Sequence, residues 1–399
     1  MNTMDYLKKC IFVLKHYIIM KTVLGFILAL ALYPISILAQ DTQPAWVDMI
    51  IGTYTEGGNS EGIYTYHFNQ NTGLTDSRSD SIRASNPTFV AQSSNDRMIY
   101  AVCEYHDGRQ GLYAFERNTT NGKLKEVNWR TTIDLANVSP SDDGIIYSGG
   151  DPCNVFVTPQ FVATANYTGG DISVFPIDSV TGGLKLQSQH HKLGGDTTVL
   201  VPHAHCLLPS PDGKYAFVTD LGNSCIYRYD LKAKSLDNPV LAWEGENGMG
   251  PRHFIFDKDG NHAYLINELG GQLVVFDYHD GTLLQTQIVM ADENGGHGSA
   301  DIHITPDGKF LYTSHRLKGD GIAIFRIDQE SGKVSKVGYE PTGRHPRNFG
   351  ITPNGRFLLV ACRDDNKIQV FSINSKTGKL TDTGHTIYVS KPSCIAFIK

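Results

Sequence analysis

Four stretches of the chain repeat one phrase at near-constant spacing: an apolar run, a Pro-Asp-Gly type turn, then a second apolar run rich in aromatics. They are His205–Asp220, Arg252–Glu268, Asp301–Arg316 and Arg347–Arg363, and their turn glycines Gly213, Gly260, Gly308 and Gly355 lie 47, 48 and 47 residues apart. Asp-Gly and Asn-Gly between alternating apolar runs specify tight hairpins, because glycine accepts the positive φ that such turns need. A hairpin repeat with a period of a few tens of residues marks four-stranded propeller blades, which bury their faces only by stacking on one another.

Weaker copies extend the series upstream. Asn86-Pro-Thr-Phe-Val leads to Tyr100-Ala-Val-Cys-Glu104, and Asp151-Pro-Cys-Asn-Val-Phe-Val leads to Phe161-Val-Ala-Thr-Ala-Asn166, which brings the count to six. The seventh blade is split between Lys391-Pro-Ser-Cys-Ile-Ala-Phe-Ile at one end and the strands near Val47 and Gly62 at the other. Turns such as Asn71-Thr-Gly-Leu, Asn121-Gly-Lys-Leu, Ser331-Gly-Lys-Val and Thr377-Gly-Lys-Leu join third strands to outermost ones. The expected fold is therefore all-β: one domain over residues 40–399, a seven-bladed β-propeller of four-stranded antiparallel blades. Its ring is closed by the N- and C-terminal strands, which removes the open edges that invite aggregation.

Charged residues make up 19% of the chain, and 35 Lys+Arg against 41 Asp+Glu give a net charge of -6. Such a balance offers no field to gather nucleic acid or an anionic membrane, so neither is expected as a partner. At the N-terminus, Lys21, the apolar run Val23–Leu32 and Ile37-Leu38-Ala39 read as an export signal over residues 1–39, with cleavage near Gln40. Met20 offers a second start. Pro34 interrupts a run already short for about 30 Å of hydrocarbon, so the reading is a periplasmic or secreted monomer without stable membrane insertion. Cys10 falls within that segment. Of the six other cysteines, Cys103, Cys206, Cys225, Cys362 and Cys394 sit in or beside apolar strand patterns, as buried small hydrophobes do.

Equivalent positions in a ring converge on its axis, so polar residues at one repeat position point to a site. Seven residues before the turn Asp or Asn stand His205, Arg252, Ala300 and Arg347; nine after it stand Leu221, Glu268, Arg316 and Arg363. Charged strand ends are ordinarily solvated caps, and only the coincidence in the repeat frame raises these above that reading. Together they would make a basic well around one carboxylate and one imidazole. Arginines bind carboxylate, phosphate or a developing oxyanion, while Glu or His moves protons.

At these residues the chain, from about residue 46 to its end, resembles the seven-bladed lactonase propellers that include 6-phosphogluconolactonase and the carboxy-muconate lactonizing enzymes. The phrases that carry the resemblance are Pro202-His-Ala-His205, Asp220-Leu-Gly222, Gly250-Pro-Arg-His253, Asn267-Glu268, Ser299-Ala-Asp-Ile-His303 with Arg316, and His345-Pro-Arg347. The resemblance implies catalytic roles for His205, Arg252, Glu268 and Arg316, and substrate-binding roles for His203, Arg347, His303 and Asp220. Arg363 and Thr313-Ser314-His315 depart from the family's usual residues.

Three readings of function follow. The first is hydrolysis of a sugar lactone without metal or cofactor: Arg252 and Arg316 hold the anionic substituent or the carbonyl oxygen, while Glu268 or His205 activates water. No His-Glu-x-x-His pair is present in the sequence. The second is a muconate-type lactonizing cyclase or isomerase using the same groups. The third is an exported, non-catalytic binding scaffold, which would lack the convergence of His205, Arg252, Glu268 and Arg316. A metal-dependent variant would draw on Asp151, Asp196, Asp220 and Asp301, but these form no oxygen-rich calcium loop.

Overall fold

The repeated phrase folds as two antiparallel strands hinged at its glycine. Gly213, Gly260, Gly308 and Gly355 take φ of 69°, 73°, 76° and 70°, in the left-handed region that a Cβ penalises. In the second blade, whose turn lacks a glycine, Asp96 takes that position at φ 57°. The computed structural model describes residues 44–136, 141, 145–194 and 201–398, with Met4. The rest of the expected export segment, Cys10 and Asp196 lie outside the described residues.

Among the described residues, 28 strands pair antiparallel into seven four-stranded sheets. Blade 1 draws on both ends of the chain. Pro392–Ile398 is innermost, and Trp46–Thr53, Gly62–Asn69 and Leu74–Arg83 follow outward. Blades 2 to 7 follow in chain order, and their innermost strands are Val90–Gln92, Pro152–Val157, Ala204–Pro209, Pro251–Phe256, Ser299–Ile304 and Pro346–Ile351.

Seven apolar clusters fill the seven inter-blade interfaces. Phe156, Ile172 and Val174 of blade 3 meet Leu207, Val218 and Tyr229 of blade 4, and Met49, Ile51 and Phe68 of blade 1 meet Leu359, Val370 and Ile387 of blade 7, closing the ring. Tyrosine hydroxyls tie some of these interfaces at equivalent points. Tyr100 donates to the carbonyl of Gly182 at 2.8 Å, Tyr264 to Gly332 at 2.9 Å and Tyr312 to Gly378 at 2.8 Å, each reaching the hairpin of the next blade. All six described cysteines are buried and free, among them the five that stand in or beside apolar strand patterns.

The innermost strands carry one further device. Their pairing with the second strand slips by one residue near its start, between Pro152 and Asn154, Ala204 and Cys206, Pro251 and His253, Pro346 and Asn348, and within Ser299–Ile302. Blade 1 slips likewise at Gly52/Thr53, opposite Ser393. A bulge of this kind re-aims the extra residue. The residues so placed include Cys153, His205, Arg252, Arg347 and Ser393, and these line the axial cavity together with Thr88.

Candidate functional site

Two rings of residues build the site, at the end of the channel opposite the Asp-Gly turns. The bulged ring supplies His205, Arg252 and Arg347. The second ring is the residue after each blade's second strand: Tyr54, Glu104, Tyr167, Leu221, Glu268, Arg316 and Arg363. Six of the seven are polar or charged.

Glu268 is the best-held group. Arg252 donates from Nε to its Oε2 at 2.7 Å, and Arg316 donates from a terminal nitrogen to its Oε1 at 2.9 Å. Burial works against its ionisation, but Arg252, Arg316 and Arg347 outweigh burial and hold the carboxyl below its usual range. Both clamping arginines are themselves fixed. Arg252 also donates to the Ala300 carbonyl at 2.5 Å, and Arg316 donates from Nε to the Gly298 carbonyl at 2.8 Å and from its other terminus toward Nε2 of His345 at 3.3 Å. Burial, then Arg252 and Arg347, lower the Arg316 pKa to about 9 against the pull of Glu268, which leaves it cationic at neutral pH.

Arg347 differs from both. It forms a loose ion pair with Glu104 at 3.6 Å and lies over the Tyr54 ring at 5.3 Å, but it donates no hydrogen bond to any described residue. Its guanidinium is held in place electrostatically with its donors unused. Glu104 in turn accepts from the Tyr54 hydroxyl at 2.7 Å and from the Thr88 hydroxyl. Arg363 closes this side of the well, paired with Asp364 at 2.7 Å and lying over Tyr54 at 5.7 Å.

His205 is buried, and neither of its ring nitrogens has a hydrogen-bond partner among the described residues. Burial, reinforced by Arg252, His253 and Arg347, pushes its pKa well below 6.5 and keeps it neutral. Tyr167 packs edge-on against it at 5.8 Å, and His253 does so at 5.2 Å.

The structure thus brings together His205, Arg252, Glu268, Arg316 and Arg347, and places the other three candidates differently. Both oxygens of Asp220 are occupied within its own loop, by the backbone of His203 at 2.9 Å and by Asn223. His303 lies deeper along its strand, where Asp301 accepts from it at 3.0 Å, from His253 at 2.7 Å and from Asn348 at 2.5 Å. His203 reaches the rim, stacked on Tyr167 at 4.5 Å. The convergence is the property a non-catalytic scaffold was expected to lack. Among the described residues, no group of three or more His, Cys, Asp or Glu side chains is arranged to hold a metal ion.

Counting from glycine turns missed three members of the second ring, Tyr54, Glu104 and Tyr167. Blade 2 turns through Asn95-Asp96, and Glu104 stands nine residues after Asn95, as Glu268 stands nine after Asp259. The blade 3 hairpin at Thr158–Phe161 is shorter, which breaks the count before Tyr167.

Residues 48–397 match the family model described as lactonase, 7-bladed beta-propeller. A 6-phosphogluconolactonase of Formosa agariphila is 33% identical over 360 residues, spanning 87% of this chain and 98% of the relative. The crystal structure of a putative 6-phosphogluconolactonase from Bacteroides fragilis superposes with a TM-score of 0.81 at 39% identity, covering 90% of this chain and 99% of the other. The periplasmic gluconolactonase of Pseudomonas aeruginosa superposes with a TM-score of 0.77 at 26% identity, covering 89% and 99%.

Proposed function

The chain belongs to the seven-bladed β-propeller lactonase family, and from that premise we propose that it hydrolyses a sugar lactone by direct attack of water. One observation carries the reading: the well pairs an unpartnered neutral imidazole, His205, with an arginine, Arg347, whose donors are unused. A base and a hydrogen-bond donor to the oxyanion are the two groups that acyl transfer to water needs.

The charge count supports it. Arg252, Arg316 and Arg347 face Glu104 and Glu268, three cations against two anions, so the well has one positive charge in excess. That excess matches the single negative charge that develops on the carbonyl oxygen as water adds. Water gives its proton to His205 and bonds to the carbonyl carbon; the oxyanion forms toward Arg347. Collapse then breaks the ring C–O bond, and the proton held by His205 goes to the departing ring oxygen. Glu268, locked as an anion between Arg252 and Arg316, orients the substrate hydroxyls and favours the transient imidazolium. The step uses no metal.

The export segment read at residues 1–39 adds that the lactone is met outside the cytoplasm, which favours an unphosphorylated aldonolactone over its 6-phosphate. The test is acid release from both lactones by the wild type and by His205→Asn and Glu268→Gln, with the products identified. Wild-type turnover of a lactone to its open acid, lost in both variants, is the expected result. Net closure of an open muconate-type acid would replace hydrolysis by cyclisation, and unchanged turnover in both variants would remove the proposed site.

A further inference from the structure

Tyr167 occupies the same ring position as Glu268 and Arg316, yet the hydrolytic scheme gives it no part. Its backbone is pinned: the amide donates to the Asp151 carbonyl at 2.9 Å, and its own carbonyl accepts from Nδ1 of His203 at 2.9 Å. The ring is pinned too, stacked on His203 at an interplanar angle of 15°. His203 is in turn anchored by its amide on Asp220 at 2.9 Å. The Tyr167 hydroxyl, by contrast, has no hydrogen-bond partner among the described residues. That sets it apart from Tyr54, Tyr100, Tyr264 and Tyr312, whose hydroxyls each donate to a carboxylate or a carbonyl. Tyr167 is half-buried, and its hydroxyl is free to donate to a ligand in the well.

The surroundings of this hydroxyl are those of the reaction. Burial, and then the Glu268 carboxylate, raise its pKa, so it keeps its proton at neutral pH. Arg252 and Arg316 stand close enough to act on it in the opposite sense. Its ring packs against His205, the group assigned to take a proton from water. A donor beside the base stands next to the group that must return a proton to the departing ring oxygen.

Resting on the hydrolytic reading above, we infer that the Tyr167 hydroxyl is a catalytic donor to the ring oxygen of the lactone, with His203 as its positioning residue. As the ring C–O bond breaks, negative charge accumulates on that oxygen and the hydrogen bond from Tyr167 strengthens. Tyr167 keeps its own proton, and the proton that completes the new hydroxyl comes from the imidazolium of His205. His203 acts indirectly, by fixing the carbonyl and ring of Tyr167.

Tyr167→Phe removes the hydroxyl and leaves the stack. It is expected to lower kcat on an aldonolactone by roughly 10- to 100-fold with KM nearly unchanged, as for loss of a donor that acts mainly in the transition state. On the analogue with sulfur in place of the ring oxygen, the same variant should match the wild type within about threefold, because sulfur is a weak acceptor. His203→Ala should reproduce part of the loss, and His203→Gln, whose amide can still donate to the Tyr167 carbonyl, should recover it. A Tyr167→Phe enzyme that turns over the ring-oxygen lactone like the wild type overturns the inference and leaves the hydrolytic reading intact. Absence of wild-type turnover defeats the hydrolytic reading itself. The role of Tyr167 falls with it, since both rest on turnover of the lactone by the wild type.

Discussion

Arg347→Leu and Arg252→Leu, made separately, should fail in opposite ways. Arg347 donates no hydrogen bond to a described residue, and its ion pair with Glu104 spans 3.6 Å. Glu104 keeps the Tyr54 and Thr88 hydroxyls when the guanidinium goes. Because the pair spans 3.6 Å and Glu104 keeps both hydroxyl donors, the stability cost should stay below the ~3–5 kcal/mol of a broken, hydrogen-bonded buried pair. Its loss from the reaction should resemble loss of an oxyanion donor, roughly 10²- to 10³-fold in kcat or about 2.7–4 kcal/mol. Arg252 is different, because its removal leaves Glu268 with one clamp and the Ala300 carbonyl without a donor. Breaking one side of a buried pair costs about 3–5 kcal/mol. At about 2.1 cal/mol/K per residue, a propeller of roughly 350 residues has an unfolding entropy near 0.7 kcal/mol/K, so Tm should fall by about 4–7 °C. Acid release in a pH-stat gives the first quantity and scanning calorimetry the second. If Arg347→Leu melts early and still turns over lactone, while Arg252→Leu melts like the wild type, the division of labour among the arginines is wrong.

Acid should destabilise the propeller from about pH 6.5 downward. His315, buried between Ser299 and Thr313 at 2.9 and 2.8 Å, has its pKa lowered to about 4, chiefly by burial. A histidine whose folded pKa lies below its unfolded value contributes stability that is complete above pH 6.5 and lost as pH falls toward the folded value. For His315 that amounts to roughly 3 kcal/mol. His205, His253 and His345 shift the same way, whereas His190 and His303 are raised and contribute in the opposite sense. Urea midpoints at pH 7.5 and 4.5 check the net sign, and a higher midpoint at pH 4.5 would contradict it. Gly378→Ala should destabilise by about 2 kcal/mol or more, since it forces a Cβ onto φ 75° and within 2.3 Å of the Phe310 ring; a wild-type Tm in that variant counts against the packing described. Burial raises the thiol pKa of Cys103, Cys206 and Cys394 to about 12. Thiol reagents should consequently react with the native protein only at the rate of its unfolding, and fast labelling at pH 8 would count against burial.

The ring was legible because its turns need glycine for a reason of backbone geometry, and glycine is visible in a sequence. The well was legible where the same frame held, at His205, Arg252, Glu268, Arg316 and Arg347. It was lost where another residue did glycine's work, as Asp96 does before Glu104, or where a shorter hairpin shifted the count before Tyr167. Aligning the ends of the second strands rather than the turns recovers both. The roles of the arginines had no such signal. Arg252 and Arg316 read as substrate clamps in the sequence, but they hold Glu268, because neighbouring carbonyls and one carboxylate lie within reach of their donors. Asp220 and His303 stand in family-like phrases for the same reason that buried polar groups generally persist: one caps a loop and the other pairs with Asp301.

Direct attack by water is tested most sharply by a single turnover in heavy-oxygen water with the protein in excess over an aldonolactone. The account predicts that heavy oxygen appears in the product carboxylate in that first turnover and nowhere in the protein. Heavy oxygen recovered in the Glu268 or Glu104 side chain, with the first product carrying only light oxygen, would show a covalent acyl carboxylate and contradict it.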